Sequence, residues 1–453
     1  MTMRFAVILL LAGAAQAAGP GEGKETSLVF PPRLHVPVRK ATPFHLFLYV
    51  QNRVKVRDPQ GIAVTRLDSW DDPKEKKDDD EITVYGVNSG QNVIIYNTSM
   101  TTISIYGLKE RGVYKLNRPH GITASSWGDV YLADTYNNRV VKFHNPGKKL
   151  QFERVLTGDG MRRPHDVSLT ADSTLYVTDY GNDRLLMFRA DTLARVIAGA
   201  GVLRHPTGVA ATCSAQRWSY WKDDFVVVID QDGRRLQKFL RDGTLVKSVT
   251  MAELGVDNAE LSYAEIDYHS NIWVTDKKNH CLHKFDRDLN YLTRFGSKGS
   301  GDNQFIEPRG ISMYRRFGQV LIAEKKAAQY YWIGTDIDAI RFERTPEGML
   351  LFRYFLTEPS YMTLEIYDKN GMLVATPLKK ARRSSGAGFS VIAGDGSLLS
   401  GYLRDGIPFV DEKAVRDKPV FAAGEYRFRI TLSATYSSYT YFKKNIEKKV
   451  HLH

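Results

Sequence analysis

Two histidines in matching local sequences are the residues whose types and spacing point most directly to chemistry. His120 and His165 each follow a proline, and they stand 45 positions apart. Glu265 and Arg309 occupy related places in later segments of the chain. Two imidazoles and one carboxylate form a common donor set for a divalent metal ion. The same histidines serve equally well as hydrogen-bond donors to the backbone, in which case no metal site forms.

The other residue types capable of catalysis show no pattern that singles out a catalytic set. The two cysteines, Cys213 and Cys281, are too few for a disulfide framework or a four-cysteine metal site. The sequence leaves open whether they pair or remain free thiols. No nucleophile elbow and no glycine-rich phosphate loop occur. We therefore predict no catalytic residues and no resident cofactor, with zinc or another divalent metal as the alternative.

The first 17 residues have the features of a secretory signal peptide. Arg4 provides a basic start, an apolar run covers 5–11, and Ala15 and Ala17 form the small-residue pattern of a cleavage site. We expect cleavage before Ala18 and a mature protein outside the cytoplasm, in the periplasm or beyond the cell. No segment of the sequence has the roughly 20 apolar residues that span a bilayer.

The charge of the chain indicates what kind of partner it attracts. The formal net charge is +12, and the basic residues are dispersed along the 453 positions. Such a protein attracts acidic proteins, acidic envelope polymers or anionic surfaces. Nucleic acid fits less well, because the predicted compartment holds little of it. We therefore predict a protein or cell-envelope component as the partner, without nucleic acid and without a transmembrane span.

A repeat of about 45 residues organises the middle of the chain. A typical unit has an early proline, an apolar strand that ends in aspartate, a turn, and a further strand that ends in phenylalanine, whereas the first and last units lack the aspartate-to-phenylalanine interval. The interval from aspartate to phenylalanine is identical in four units: Asp134–Phe143, Asp179–Phe188, Asp230–Phe239 and Asp276–Phe285. The units begin at Pro59, Pro119, Pro164, Pro206, Leu261 and Pro308. Copies of such a unit bury their apolar faces by closing into a ring.

This pattern resembles the NHL-repeat family of β-propellers, and the resemblance covers approximately residues 44–336. It implies an all-β, six-bladed propeller, preceded by an N-terminal extension at 18–43. We predict that residues 44–50 form a strand that joins the last blade and closes the ring. The residues after the opening position of each unit then face the central channel; they are Gln60, His120, His165, Thr207, Ser262 and Arg309.

The proline–histidine pairs are also similar to those of the peptide-amidating lyase, which is an NHL propeller. That resemblance implies a zinc ion held by histidines from three blades. This sequence supplies two such histidines, His120 and His165, with Glu265 as the nearest carboxylate in register. A metal-dependent lyase or hydrolase acting in the channel, with Arg309 in the same site, is therefore the alternative function.

Two insertions depart from the regular spacing of the units. The unit that starts at Pro206 carries nine additional residues around Trp218, Tyr220 and Trp221. These aromatic rings either contact a partner or pack on the blade beneath them. The first unit carries a charged excursion at 69–81, which we interpret as a solvated loop rather than a calcium site.

A second β domain, a small β-sandwich, is predicted over residues 337–453, where short strands alternate with turns. The segments IYDKNGMLV and AAGEYRFRI resemble the Ig-like domain of flagellar hook-capping proteins. That resemblance implies a spacer or docking module. The leading functional hypothesis is an exported, non-enzymatic binding or scaffold protein, which engages a protein or envelope partner through a propeller face and its loops.

Overall fold

The computed structural model describes residues 26–32, 38–69, 82–99, 102–147, 149–199, 201–404, 407–410, 415–436 and 441–452. The predicted signal peptide and nearly all of the charged excursion at 69–81 lie outside these residues. The described part is almost entirely β, as predicted from the sequence, with a short α-helix at Pro43–Val50. Within it, no helix is both long and apolar enough to cross a membrane.

Six antiparallel sheets follow one another through the described residues of the repeat region. Sheet 1 consists of Pro59–Thr65, Thr83–Asn88, Val93–Ser99 and Thr102–Tyr106. Sheet 2 consists of Ile122–Ala124, Asp129–Asp134, Arg139–His144 and Gln151–Leu156. Sheet 3 consists of Pro164–Leu169, Thr174–Asp179, Arg184–Arg189 and Thr192–Ala198. Sheet 4 consists of Val209–Thr212, Phe225–Asp230, Arg235–Phe239 and Leu245–Thr250. Sheet 5 consists of Leu261–Ile266, Ile272–Asp276, Cys281–Phe285 and Tyr291–Phe295. Sheet 6 consists of Pro308–Tyr314, Gln319–Glu324 and Ala327–Ile333, together with two short N-terminal strands. Single 3-10 turns lie at Gln51–Arg53, Ser89–Gln91, Gly112–Tyr114, Thr135–Asn137, Tyr180–Asn182 and Ala252–Leu254, and a short parallel pair joins Ser297–Lys298 to Gln304–Phe305.

A buried carboxylate at the end of the second strand fixes each of sheets 2 to 4. It accepts the backbone N–H of the residue two positions before the unit's proline: Asn117 to Asp134 (2.7 Å), Arg162 to Asp179 (2.7 Å) and Arg204 to Asp230 (3.1 Å). An arginine five residues later pairs with the same carboxylate: Arg139 (2.8 Å), Arg184 (2.7 Å) and Arg235 (2.8 Å). The repeated aspartate therefore joins the entry loop to the third strand, and the arginine balances its charge.

The repeated phenylalanines hold the equivalent packing position in four sheets. Phe143, Phe188, Phe239 and Phe285 are each at most 2% exposed, and each belongs to a cluster of buried apolar residues. Burial of such large apolar side chains is the principal favourable contribution to the stability of each sheet.

The first strands of the sheets contact one another in a closed order, with the first strand of sheet 6 against that of sheet 1. Glycines permit this approach: a Cβ on Gly310 would lie 2.5 Å from the carbonyl oxygen of Gln60. Deeper between the same two sheets, Val64 N–H donates to Ser312 Oγ at 3.0 Å. The ends of the repeat region thus meet, and the first strands surround a channel.

The predicted closing strand at residues 44–50 is wrong, because Pro43–Val50 is an α-helix. Pro43 occupies the first turn, where the missing N–H costs nothing, and Leu46 N–H donates to Thr42 O at 3.0 Å. Sheet 6 is completed instead by Leu28–Val29 and Lys40–Ala41, which both pair with Ala327–Ile333. The stretch predicted to be an N-terminal extension thus contributes the outer strands of the last sheet.

The C-terminal residues form two further four-stranded antiparallel sheets that share one apolar core. The first contains Ile337–Arg344, Leu350–Leu356, Gly386–Ile392 and Leu398–Leu399, and the second contains Leu373–Arg383, Ser360–Tyr367, Gly424–Ala434 and Lys444–Leu452. A separate hairpin pairs Gly401–Arg404 with Ile407–Val410. This region packs against the propeller through Tyr436, which is buried beside Tyr268 and His269 of sheet 5.

Candidate functional site

Six side chains, one from the opening of each sheet, stand at one end of the channel. This channel-mouth ring consists of the predicted residues Gln60, His120, His165, Thr207, Ser262 and Arg309. The rings of His120 and His165 lie 4.7 Å apart between centroids, on neighbouring sheets. Tyr263, next to Ser262, donates its hydroxyl to Gln60 Oε1 at 3.4 Å. The register of the repeat thus brings these residues together, as the sequence indicated.

Both histidines of the ring use one nitrogen to hold the backbone. His120 Nδ1 lies 3.0 Å from Arg118 O, and His165 Nδ1 lies 2.9 Å from Thr207 O. A carbonyl oxygen accepts a hydrogen, so each Nδ1 carries the proton and each Nε2 is left as the acceptor. Burial lowers the pKa of His120 to about 4 and lowers the pKa of His165 well below its usual range. Both imidazoles are therefore neutral at neutral pH.

Arg309, the cationic member of the ring, is held by acidic neighbours. Its guanidinium pairs with Asp58 and with Glu307, the latter at 3.4 Å, and it donates to Pro59 O at 3.2 Å. A guanidinium fixed on three acceptors is oriented, and much of its charge is already balanced. Arg309 therefore contributes to the ring a hydrogen-bond donor that is held in a fixed orientation.

Glu265 lies deeper in the channel than the ring. It stands three residues after Ser262, which is about 10 Å along a strand. There it lines a cavity of about 350 Å³ with Asp166, Trp218 and Arg315. Arg315 NH2 is 3.6 Å from Glu265 Oε1, while burial raises the pKa of Glu265. The structure therefore separates Glu265 from the two histidines with which the sequence had grouped it.

The donor set at the ring does not fit the three-ligand zinc site implied by the lyase resemblance. His120 and His165 supply two imidazoles, and Glu265 lies further along the channel. Among the residues that the structure describes, the group of three metal-ligating side chains within mutual reach is Asp276, Cys281 and His283, which includes no member of the ring. We therefore derive no catalytic step through a channel metal.

The aromatic insertion lies at the other end of the channel, because it joins the first and second strands of sheet 4. Trp218 lines the cavity and is half-buried, whereas Tyr220 and Trp221 are 42% and 48% exposed. Four guanidinium groups stack on these rings: Arg217 and Arg316 on Trp218 (4.8 and 5.0 Å), Arg287 on Trp221 (4.7 Å), and Arg382 on Tyr220 (4.1 Å). We call these seven residues the aromatic–arginine cluster.

The aromatic–arginine cluster spans both parts of the protein. Arg382 belongs to the C-terminal strand Leu373–Arg383, and its NH1 donates to Tyr220 Oη at 2.5 Å. Tyr220 N–H also donates to Tyr268 O of sheet 5 at 2.8 Å. The alternative in which the rings pack on the protein itself is thus confirmed for Tyr220, which keeps a large exposed surface, and contact with a partner stays a prediction.

Sequence reasoning missed Asp166 and Tyr263, which occupy the third position of their units. The other units have glycine there: Gly61, Gly121, Gly208 and Gly310. Asp166 is buried in the wall of the channel, where it accepts the N–H of Val209 at 3.0 Å, and burial raises its pKa well above the usual range. The departure from glycine at this position was the signal that identifies both residues. Cys213 and Cys281, left open by the sequence, are free buried thiols.

Comparison with known protein families supports the repeat. An NHL repeat model matches residues 116–143. "Protein brain tumor" of Drosophila melanogaster is 25% identical over 121 residues, which are 25% of this chain and 12% of that protein. The matched region thus covers a small part of the relative's length.

Solved structures similar to this chain include two enzymes. A virginiamycin B lyase from Staphylococcus aureus is 14% identical, with a TM-score of 0.41 over 60% of this chain and 96% of that one. A gluconolactonase from Xanthomonas campestris is 12% identical, with a TM-score of 0.44 over 69% of this chain and 98% of that one. The family-model match and the six successive antiparallel sheets together give a chain that carries an NHL repeat at residues 116–143, within an all-β fold of the β-propeller type.

Proposed function

We propose that this protein is exported and acts as a non-enzymatic binding protein, with an acidic protein or envelope component as its partner. The observation that carries the proposal is the aromatic–arginine cluster at the border between the propeller and the C-terminal sheets. Trp, Tyr and Arg are the residue types that supply most of the binding energy in protein interfaces. In this cluster they lie together on a rigid frame, with Tyr220 and Trp221 nearly half exposed.

The surroundings of the cluster favour an acidic partner. Arg382 lies on Leu373–Arg383, which is an edge strand of its sheet and also presents Lys379 and Lys380 to solvent. Basic side chains on an edge attract acidic groups and discourage pairing between copies of the same chain. The net charge of +12 acts in the same direction at longer range.

The C-terminal sheets complete the binding surface in this proposal. We infer that they form an Ig-like module of the kind that the sequence resembles, acting as a second contact beside the propeller. Two antiparallel sheets with a shared core support this interpretation. The hydrogen bond from Arg382 to Tyr220 holds the module next to the insertion.

Removing one exposed ring of the cluster should weaken binding strongly. We expect Trp221→Ala to reduce affinity for the partner about 30-fold, the effect of about 2 kcal/mol at an interface hot spot. The measurement is the amount of each envelope protein that the purified protein captures from extracts of the source cell. Arg217→Glu should also weaken capture, most clearly at low ionic strength, because it reverses an exposed charge.

A variant at the other end of the propeller serves as the matched control. Tyr136 is 50% exposed and lies on the turn Thr135–Asn137, at the end that carries the channel-mouth ring. Tyr136→Ala should leave capture unchanged. If Tyr136→Ala abolishes capture and Trp221→Ala does not, the partner binds the channel-mouth end and the proposed surface is wrong.

A lyase or hydrolase acting in the channel is the second candidate, favoured by the adjacent neutral imidazoles of His120 and His165. The ring supplies two metal ligands, one fewer than the three-ligand zinc site needs, and so we expect it to hold no metal ion. The double variant His120→Ala with His165→Ala should therefore have the same metal content as the unmodified protein. Elemental analysis of both proteins measures this. Loss of stoichiometric zinc or iron in the double variant would favour the enzyme and count against the binding protein.

A further inference from the structure

Sheet 5 keeps the buried carboxylate of sheets 2 to 4 but differs from them in the residues that surround it. In sheets 2 to 4 an arginine stands five residues after that carboxylate and pairs with it. Asp276 is the equivalent carboxylate in sheet 5, and Cys281 occupies the position of the arginine. Two residues further, sheet 5 has His283 where sheet 4 has Gln237. The carboxylate thus keeps its place while its cation is replaced by a thiol and an imidazole.

These three side chains lie as close together as ligands of one metal ion. His283 Nε2 is 3.2 Å from Asp276 Oδ2 and 3.7 Å from Cys281 Sγ, and the three ligand atoms all lie within 4.8 Å of one another. Tetrahedral zinc, with bonds of about 2.0–2.3 Å, places its ligand atoms roughly 3.3–3.6 Å apart. All three side chains are fully buried. The two distances from His283 Nε2 are close to this spacing, and the donor types match zinc.

We infer that Asp276, Cys281 and His283 form a buried binding site for Zn²⁺ in sheet 5. A carboxylate, a thiolate and an imidazole together suit this ion better than Mg²⁺ or Ca²⁺, which take oxygen ligands. The three side chains supply three of the four ligands of a tetrahedral zinc ion. The site is separate from the proposed binding surface and does not depend on it.

The groups behind the three ligands orient them for this role. Tyr291 Oη lies 3.2 Å from His283 Nδ1, which leaves Nε2 directed toward Asp276 and Cys281. Asp276 is held by Asn279 Nδ2 at 2.7 Å and by the N–H groups of Lys278 and Asn279 at 3.0 Å. Such outer partners fix ring orientation and raise metal affinity.

The charge of the buried Asp276 carboxylate provides an independent reason to expect a metal ion at this position. A carboxylate taken out of water is costly unless a cation balances it, and sheets 2 to 4 supply a guanidinium for that purpose. In sheet 5, Arg294 lies opposite His283 in the strand ladder rather than in the place of the missing arginine. A divalent cation bound between Asp276 and Cys281 restores the balance.

Metal titration of the full-length protein tests the site. After treatment with a chelator, the protein should take up one Zn²⁺ per chain, and Co²⁺ should give a thiolate-to-cobalt charge-transfer absorption. The chelator should also lower the Tm of the protein, since the metal binds the folded state. Tyr291→Phe should retain the site but bind Zn²⁺ about 10–100-fold more weakly, because it removes an outer partner.

A double variant separates metal binding from folding. Cys281→Arg with His283→Gln rebuilds the arrangement of sheet 4, so it should fold, bind no Zn²⁺ and keep its Tm in chelator. Cys213→Ser, at the other buried cysteine, should retain the metal. Two results would overturn the site: absence of Zn²⁺ and Co²⁺ uptake by the unmodified protein, in which case His283 itself balances Asp276, or full uptake by the double variant.

Discussion

Lys284→Met is expected to lower the free energy of unfolding by about 3–5 kcal/mol, the usual cost of breaking a buried ion pair. Lys284 is 1% exposed; its Nζ pairs with Glu358 and donates to Thr357 O at 2.7 Å. Methionine fills a similar space but leaves the Glu358 carboxyl group, whose pKa burial already raises to about 8, buried without its cation. The pair joins sheet 5 to the C-terminal region, so the loss should appear in denaturant unfolding of both parts.

The partner substitution and an exposed ion pair provide the controls. Replacing Lys284 and Glu358 together by methionine should recover most of the loss, because apolar pairs of similar volume commonly substitute for buried ions. Lys277 pairs with Glu260 at 2.6 Å on the surface, and Lys277→Met should cost about 1 kcal/mol at most. If Lys284→Met is no worse than Lys277→Met, the contact does not join the two parts as described.

Asp179→Ala is expected to destabilise the protein by a similar amount, about 3–5 kcal/mol. Asp179 is fully buried, accepts Arg162 N–H at 2.7 Å and pairs with Arg184 at 2.7 Å. Alanine leaves the Nε–H of Arg184 and the N–H of Arg162 without their buried acceptor and releases the entry loop of sheet 3. Urea denaturation of the purified variant measures the change.

The second carboxylate on the same arginine is the matched control. Asp159 Oδ2 lies 3.1 Å from Arg184 NH1, but the Asp159 side chain is 70% exposed. Asp159→Ala should therefore change the unfolding free energy by less than about 1 kcal/mol. Equal losses in the two variants would show that burial of the repeated aspartate is not what stabilises the sheet.

The repeat made the sheets and the channel-mouth ring predictable. The units are marked locally, five by an opening proline and four by an aspartate and a phenylalanine nine positions apart, and these residues hold equivalent places in the structure. Once the register was known, the residue after each opening position had to face the same region. His120 and His165 could be paired for this reason, although they are 45 positions apart.

The closing of sheet 6 was not predictable in the same way. Residues 44–50 are apolar and aromatic and therefore resemble a strand, but Pro43 and Thr42 begin a helix there. The strands that complete the sheet, Leu28–Val29 and Lys40–Ala41, have two residues each. Strands this short carry no periodic pattern, and their positions depend on pairing with the distant strand Ala327–Ile333.

Contacts between distant segments account for the rest of the candidate sites. Arg382 is 162 positions from Tyr220, and Glu358 is 74 positions from Lys284. Neither partner carries a local signal that specifies the other. The Asp276, Cys281 and His283 group was visible in the aligned repeats as an exchanged arginine, but its meaning required the measured proximity of the three ligand atoms.

Photocrosslinking in the source cell tests the binding proposal most directly. An aromatic photocrosslinking amino acid replaces Trp221 in one protein and Tyr136 in another, so that each position keeps a ring. We expect a discrete adduct with one acidic protein or envelope component from position 221 and none from position 136. An adduct from position 136 alone, or no adduct from either position, would contradict recognition through the aromatic–arginine cluster.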